Sequence, residues 1–294
     1  MLRGDHIEAV EEAVEYIGTH LDGDLRLETV ADAACFSRHY FNRLFSGVTG
    51  ESIHSFVRRL RLERAAYELF NRPELDITSI ALEAGYSPSN FATAFKSAFG
   101  VPPSEYRETP APAPDGAYEE ARARIASVRK GGSAAVLAEI EPLVELAELP
   151  AMRLFRRRYV GPYAGLERAW CSFCEHASAA LPGIPEPRYV GISYGDPLIT
   201  EGAKLRYDLC LVLPEGRKPP PSRPRPLAVP AGRYARYRFK APLSELIYVF
   251  FDLVALWMPS RGLRLAGGPI LEFYSGGLDE RGRMAVDVCA PIEE

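Results

Sequence analysis

The chain has 294 residues, of which 47% are hydrophobic and 25% charged, with a formal net charge of −4. That length exceeds what one hydrophobic core ordinarily serves, so two domains are expected, and the ordinary composition excludes a disordered or collagen-like chain. No uninterrupted apolar run reaches the ~20 residues of a bilayer span, and the acidic start from Asp5 to Glu15 does not resemble a signal peptide, so a cytoplasmic location with no membrane partner is expected. Five cysteines, an odd number scattered in apolar surroundings, fit reduced thiols.

The first predicted element is a helix from His6 to Leu21, apolar at Ile7, Val10, Val14, Ile17 and Leu21. A repeat follows. Leu27 to Gly50 (LETVADAACFSRHYFNRLFSGVTG) aligns without a gap on Ile77 to Gly100 (ITSIALEAGYSPSNFATAFKSAFG). Ala31/Ala81, Ala34/Ala84, Ser37/Ser87, Phe41/Phe91, Phe45/Phe95 and Gly50/Gly100 are identical pairs, so one kind of surface is presented twice. Each copy reads as helix, tight turn, helix, with the turn at Ala34-Cys35-Phe36 and Ala84-Gly85-Tyr86. Ser37 and Ser87 stand at the N-cap of the second helix, and Pro88 fits its first position. The inward stripe is Phe41, Leu44 and Phe45 in copy one, and Phe91, Ala94 and Phe95 in copy two. Outward lie Arg38, His39, Asn42 and Arg43 in copy one, and Ser89, Asn90, Thr93 and Lys96 in copy two. Arg, Asn and Lys on an exposed helix after a tight turn suit major-groove reading, because their polar groups match guanine and adenine edges. A polar outer face on a single hairpin would be an ordinary solvated face; its recurrence with the same turn and cap chemistry favours double-stranded DNA as partner.

These residues, with Val101-Pro102-Pro103-Ser104-Glu105-Tyr106-Arg107, resemble the paired helix-turn-helix domain of AraC/XylS-type transcription regulators over residues 5 to 108. The resemblance implies an all-α domain of seven helices whose two recognition helices enter successive major-groove faces. It also implies a long joining helix, here Ser52 to Phe70, stopped by Asn71-Arg72-Pro73. Three features depart from the family's pattern: Cys35 replaces the usual turn glycine, copy two is one residue shorter before Asn90 than the family leads one to expect, and Thr93 stands where Arg is common. Copy one is therefore expected to read bases through Arg38, His39, Asn42 and Arg43. Copy two is expected to hold the backbone through Ser87, Ser89 and Lys96. Residues 1 to 108 contain 11 Lys/Arg against 17 Asp/Glu, and the remainder 24 against 22. A net-negative reader should neutralise few phosphates.

Residues 109–139 read as a linker. It holds the Pro/Ala segment TPAPAPDG (109–116) and a short charged helix over Tyr118 to Lys130, ended by Gly131-Gly132-Ser133. From residue 140 to 294 strands and helices alternate. Strands are expected at Leu143–Leu149, Arg153–Tyr159, Tyr189–Tyr194, Leu205–Leu213, Arg233–Phe239, Ile270–Tyr274 and Met284–Cys289, with helices at Tyr163–Leu181 and Leu243–Met258. Leu166/Leu246, Trp170/Phe250 and Tyr194/Tyr274 match across the two halves, with Asp208/Asp287 close behind. The fold class is thus multi-domain: an all-α first domain, then an α+β domain of duplicated βαββ units with antiparallel sheet, both helices on one face and a groove between the halves.

Phe155, Tyr163, Trp170, Tyr194, Phe273 and Tyr274 point toward that groove. Glu272 interrupts the apolar strand Pro269-Ile270-Leu271-Glu272-Phe273-Tyr274. If it shares a face with Ile270, it needs a cavity or a partner, and a cationic aromatic ligand would supply one. The alternatives are a solvent-facing edge position, or pairing with Arg206 or Arg236. Cys171-x-x-Cys174 lacks a second ligand pair for zinc and reads as small apolar helix residues, as Cys210 and Cys289 read as strand packing. Pro214 to Pro226 reads as an exposed polyproline loop.

GPY (161–163), GISYGDP (191–197), LRYDLCLVLP (205–214), PAGRYARY (230–237) and GGPILEFY (267–274) resemble the GyrI-like effector-binding domain over about 143 to 292. That resemblance implies a small hydrophobic, often cationic effector whose charge meets Glu272. Arg238 to Leu243 departs from the family's His-x-Gly-Pro-Tyr-like segment and is expected to place Arg238 and Lys240 at the groove mouth. Taken together, these features predict a ligand-responsive transcription regulator that changes DNA affinity or contact with RNA polymerase. No cofactor, metal or catalytic residue is expected, since no Ser-His-Asp set, Cys-His pair, phosphate loop or metal cluster is present. The alternatives are a GyrI-like hydrolase using Glu272 as general base, or a ligand-sequestering protein with an attached DNA-binding domain.

Overall fold

The structure is a computed structural model that describes residues 4–72, 74–109, 114, 118–219, 225–266, 268–277 and 279–293. Pro73, Gly267, most of the proline-rich segment at 109–116 and the centre of the 214–226 loop lie outside the described residues. The chain forms two compact units, Met1–Pro112 and Ala113–Glu294.

The first unit is all helix: α1 (Gly4–Thr19), α2 (Leu27–Ala33), α3 (Arg38–Thr49), α4 (Ile53–Asn71), α5 (Ile77–Glu83), α6 (Pro88–Phe99) and α7 (Pro103–Glu108). α1 ends before the expected Leu21 because the Thr19 hydroxyl turns back onto the carbonyls of Glu15 and Tyr16. Phe41 and Phe45 of α3 pack with Val10 and Ile17 of α1 and with Ile53 and Phe56 of α4. Copy two buries Ile80, Phe91 and Phe95, with Tyr106 of α7 edge-on to Phe95 at 5.2 Å. Each of these large side chains contributes about 1.5–3 kcal/mol by leaving water.

The turn bonds recur in both copies. Cys35 N–H donates to the Asp32 carbonyl and Phe36 N–H to Ala31; Gly85 N–H donates to Leu82 and Tyr86 N–H to Ala81. This pair of bonds is the Schellman closure, and it requires a left-handed residue after the helix. Gly85 supplies φ 79°, and Cys35 adopts φ 60° at the same place. A side chain costs about 1–2 kcal/mol there, so copy one carries a strain that copy two avoids. A β-carbon at residue 85 would also come 3.0 Å from the Arg61 guanidinium. Gly85→Ala is therefore expected to lower stability in urea denaturation by about 1–2 kcal/mol. Cys35→Gly should not destabilise, since relief of strain offsets the added backbone freedom. A Gly85→Ala protein as stable as the parent would remove the left-handed constraint.

In the second unit the charged segment is not a free linker. α8 (Glu119–Ser127) passes through a π-helical turn (Val128–Gly132), where Gly131 breaks the helical geometry, into α9 (Ser133–Ile140). Ala121, Ile125 and Val128 are buried, and Ile140 joins the core cluster of Val249, Leu253 and Trp257. The Arg124 guanidinium sits 4.2 Å over the Tyr248 ring.

The strands are β1 (Val144–Leu149), β2 (Met152–Val160), β3 (Tyr189–Ser193), β4 (Arg206–Val212), β5 (Leu227–Val229), β6 (Gly232–Ala241), β7 (Arg264–Leu265), β8 (Leu271–Ser275) and β9 (Met284–Glu293). Their order is β1-β6-β9-β8-β3-β4-β2-β5, with β7 on β9 and every pairing antiparallel. β1 runs almost directly into β2, and β5 into β6, although β1 and β5 lie at opposite ends of this order. Such short links between distant strands require the sheet to curl. Inside the curl Leu154, Val190, Ile192, Cys210, Leu271 and Cys289 form a core to which no described helix contributes. β5 and β7 escaped sequence reading because each is only a few residues long.

Two helical runs cover the outer face, as the duplicated pattern implied. α10 (Leu166–Ala180) follows a short 3₁₀ turn (Tyr163–Gly165) and packs through Phe173 and Ala177 on Phe155, Leu209 and Leu211. The other run is α11 (Leu246–Phe250), a π-helical stretch (Phe251–Trp257) and α12 (Met258–Ser260). Residues 243–260 are long and apolar enough to cross a membrane, but Val249, Leu253, Trp257 and Met258 pack into the core on Tyr237, Val286 and Val288.

Candidate functional site

In the first unit the two second helices of the repeat, α3 and α6, expose their outward faces. Arg38, His39 and Arg43 are exposed on α3, as are Ser89, Asn90, Thr93 and Lys96 on α6. Asn42 is half-buried, and its side-chain oxygen accepts from the Ile53 N–H at 3.2 Å, holding the start of α4. Arg38 bonds Glu28 of α2 at 2.7 Å. Ser87 caps α6 through the Asn90 N–H, whereas Ser37 occupies the cap position of α3 without a side-chain bond. The Thr93 hydroxyl turns back to the Ser89 carbonyl.

Most other basic side chains of this unit are tied internally. Arg26 pairs with Asp24, Arg64 with Asp22, Arg72 with Glu68 and Glu74, and Arg59 with both Glu51 and Glu63. Arg61 donates to the carbonyls of Leu21 and Gly23, and Arg107 to that of Leu75. Among the described residues Arg43, Arg58 and Lys96 are in no ion pair and bond no carbonyl, Arg58 lying beside the Tyr86 hydroxyl. Few cations are therefore left to meet phosphate.

In the second unit the site is a buried carboxylate on the outer sheet face. β8 lies between β3 and β9, so Glu272 occupies a central strand rather than an edge, and it is 0% exposed. Ser193 Oγ donates to its Oε1 at 2.6 Å; the Tyr207 and Tyr274 hydroxyls donate to Oε2 at 2.5 and 2.6 Å. Burial pushes the carboxyl above its ordinary range, and the three hydroxyls pull it partly back. Neither of the arginines weighed as partners reaches it. Arg236 bonds Glu145, and Arg206 lies 5.7 Å from the Tyr194 ring.

The register explains how the cluster fits. Glu272 stands opposite Gly191. A β-carbon at 191 would collide with the Tyr207 hydroxyl and lie 2.8 Å from Glu272 Oε2, so only glycine lets Tyr207 cross β3 to the acid. Trp170 closes the cluster from α10, edge-on to Tyr274 at 5.3 Å and to Tyr207 at 6.2 Å. Tyr163 lies edge-on to Tyr207 at 6.0 Å, and its hydroxyl donates to the Gly195 carbonyl at 2.8 Å. The segment beginning at Gly195 is held at its other side by Arg122 of α8, which donates to the Leu198 carbonyl at 2.6 Å.

Of the residues expected at the groove, the structure brings together Trp170, Glu272 and Tyr274, with Tyr163 at the margin. Phe155 lies deeper, stacked on Phe173 at 6.1 Å and on His176 at 5.8 Å. Phe273 alternates away from Glu272 on β8, so it falls on the inner face with the core of the curl. Tyr194 is also on the inner side, where its hydroxyl bonds Asp208 at 2.9 Å. The reason is a one-residue slip between the halves. Arg158↔Asp208↔Ile192 corresponds to Arg238↔Asp287↔Phe273, so the symmetry counterpart of Glu272 is Gly191 and that of Tyr274 is Ser193 rather than Tyr194. A shift of one residue moves a side chain to the other face. By the same alternation Arg238 and Lys240 leave the groove: Arg238 bonds Glu145 and Lys240 approaches Asp279 at 3.8 Å. Sequence reading missed Tyr207, Ser193 and Gly191; strict alternation along 205–213 sets Tyr207 with the helix-facing Leu209 and Leu211.

Asp208 is the counterexample on the inner face. It is equally buried, and burial opposes its ionisation, yet Arg158 and Arg156 outweigh that and hold its carboxyl low. Arg158 donates at 2.7 and 2.8 Å and Arg156 at 2.9 Å. That acid is fully paired, whereas among the described residues Glu272 meets hydroxyls and no cation. Gly191→Ala should expel the Tyr207 hydroxyl from Glu272 and lower stability in denaturant titration by about 1.5–3 kcal/mol, the worth of a hydrogen bond to a charged group. Stability within about 0.5 kcal/mol of the parent, less than that bond is worth, would refute the crossing.

Residues 30–109 match a helix-turn-helix domain model, and residues 143–293 match the GyrI-like small molecule binding domain. The regulatory protein SoxS of Salmonella typhimurium is 34% identical over 103 residues, covering 35% of this chain and 95% of SoxS. The C-terminal domain of AraT, a response regulator from Geobacillus stearothermophilus, is 39% identical over 34% of this chain and 84% of that one, with a TM-score of 0.33. The EcmrR C-terminal domain is 18% identical over 51% of this chain and 97% of its own, with a TM-score of 0.41. The chain belongs to the AraC-type DNA-binding transcription regulators and carries a GyrI-like small-molecule-binding domain in the same polypeptide.

Proposed function

We propose that the second unit binds a small hydrophobic cation at Glu272, and that binding alters how the first unit engages DNA in the cytoplasm. The observation that carries this reading is the fully buried Glu272 carboxylate, held by three hydroxyls and ringed by Trp170, Tyr163, Tyr207 and Tyr274. An ionised carboxylate in such a place is costly without an opposing charge. A ligand cation offsets that cost, and the aromatic rings attract the same charge through their faces. The ligand would enter by displacing Trp170 and Tyr163. Because Tyr163 holds Gly195 and Arg122 holds Leu198, movement there reaches α8, the first helix after the linker.

Calorimetry with an aromatic monocation is expected to show binding by the parent and at least tenfold weaker binding by Glu272→Gln, with the fold retained. Since burial raises the Glu272 pKa, affinity should fall with decreasing pH, starting above the pH at which an exposed carboxylate protonates. Unchanged affinity in Glu272→Gln would refute the assignment. Turnover of a bound electrophile, abolished by the same substitution, would instead make Glu272 a general base. In Arg122→Ala ligand affinity should persist while the ligand's effect on DNA binding is lost.

For DNA, α3 is the base reader through Arg43 and His39, assisted by Arg38 once it leaves Glu28; α6 positions the backbone through Ser87, Ser89, Asn90, Thr93 and Lys96. Arg43→Ala should weaken binding to the specific site by ~1–3 kcal/mol, and Lys96→Ala should weaken specific and random DNA equally. Equal losses on both DNAs for Arg43→Ala would sink the base-reading role. The log-log salt dependence should be shallow, and a slope as steep as about −8, the mark of ~9 phosphate contacts, would contradict it.

A further inference from the structure

Cys171 and Cys174 are absorbed by neither function. They stand one turn apart on α10, where the sequence reads them as small apolar helix residues; Cys171 is exposed and Cys174 half-buried. Their β-carbons are therefore neighbours at about 5–6 Å along one helix face. The other cysteines separate cleanly from them. Cys210 and Cys289 are both 0% exposed within the curl, and Cys35 is alone in the first unit.

Two cysteines supply only half of the four ligands a structural zinc takes, and among the described residues they belong to no group of three or more His, Cys, Asp or Glu able to hold a metal. Two thiols with no third ligand fit an electrophile that makes two sulfur bonds and brings its own remaining substituent. We propose that Cys171 and Cys174 are a dithiol capture site for soft, doubly reactive electrophiles, of which monosubstituted trivalent arsenicals are the type. With an arsenoso compound R–As=O, two As–S bonds form, the As=O oxygen leaves as water with the two thiol protons, and no atom changes oxidation state. After the first bond the second is intramolecular, so capture is far tighter than at the isolated Cys35.

The placement gives capture a consequence. Trp170 and Phe173 precede the two cysteines and form the inner face of the same turn. Trp170 meets Tyr189, Tyr207 and Tyr274, and Cys174 lies beside Tyr189. A bridge across the outer face pins the turn that walls the Glu272 cluster. Capture itself does not depend on what Glu272 binds.

The test uses the whole reduced chain with one equivalent of phenylarsine oxide, read by intact mass, thiol titration and peptide mapping. One arsenic should be retained per chain. The titratable thiols of Cys35, Cys171 and Cys174 should fall to that of Cys35 alone. A small dithiol should reverse the adduct and a monothiol in the same amount should not. Cys171→Ser and Cys174→Ser should each weaken retention at least tenfold, while Cys35→Ser retains it. Trp170→Phe should remove most of the emission change that accompanies capture. Retention unaffected by either α10 variant, or mapping of the arsenic to Cys35, Cys210 or Cys289 in the unsubstituted protein, would overturn the proposal.

Discussion

A buried carboxylate at the centre of a sheet, met among the described residues by three hydroxyls and no cation, sets the design of the second unit. Glu272 is reachable by Tyr207 only because Gly191 has no side chain, and Tyr207 lies over β3 only because β4 pairs with it in that register. Tyr274 belongs to the same strand face as Glu272, and Ser193 arrives diagonally from β3. Each hydroxyl lessens the cost of an ionised acid in an apolar place, but none brings positive charge. Among the described residues the cluster is satisfied for hydrogen bonding and has no opposing charge, which is what the proposed cationic guest would supply.

The pseudo-twofold symmetry makes the same point by its failures. Duplicated strands give both halves the Arg–Asp ladder positions, Arg158↔Asp208 and Arg238↔Asp287. In the first half the acid is buried and clamped by two arginines; in the second, Arg238 bonds Glu145 instead. Across the central pair, symmetry sets glycine against glutamate. One half thus provides the acid and the other the space, so the site is single although the scaffold is double.

The helical unit follows a comparable division. Its repeat gives both copies the same turn, down to the carbonyls that accept each turn bond, while the outward residues diverge. Its arginines serve the fold more than the surface. Arg59 bridges two glutamates and Arg61 holds two carbonyls beside the turn of copy two. The shortage of cations visible in composition is deepened by structure, because many of those present are already paired within the unit.

Much of this was legible in the residues. Apolar spacing placed the long helices, the identical pairs exposed the repeat, and runs such as Leu205–Leu213 placed the central strands, because these signals are local and periodic. Glu272 was conspicuous because an acid inside an apolar strand is costly wherever the strand packs. Pairing lay beyond reach. Whether Asn42 reads DNA or holds Ile53 depends on a contact eleven residues away in sequence, and whether Tyr194 or Tyr207 meets Glu272 depends on a one-residue register between strands. The sequence by itself determined the long helices and strands, the two repeats and the presence of an acid within an apolar strand, since each follows from neighbours along the chain. Only the tertiary structure decided which face each strand residue joins and which arginine each acid meets, since register and curl arise from contacts between segments that the chain keeps far apart.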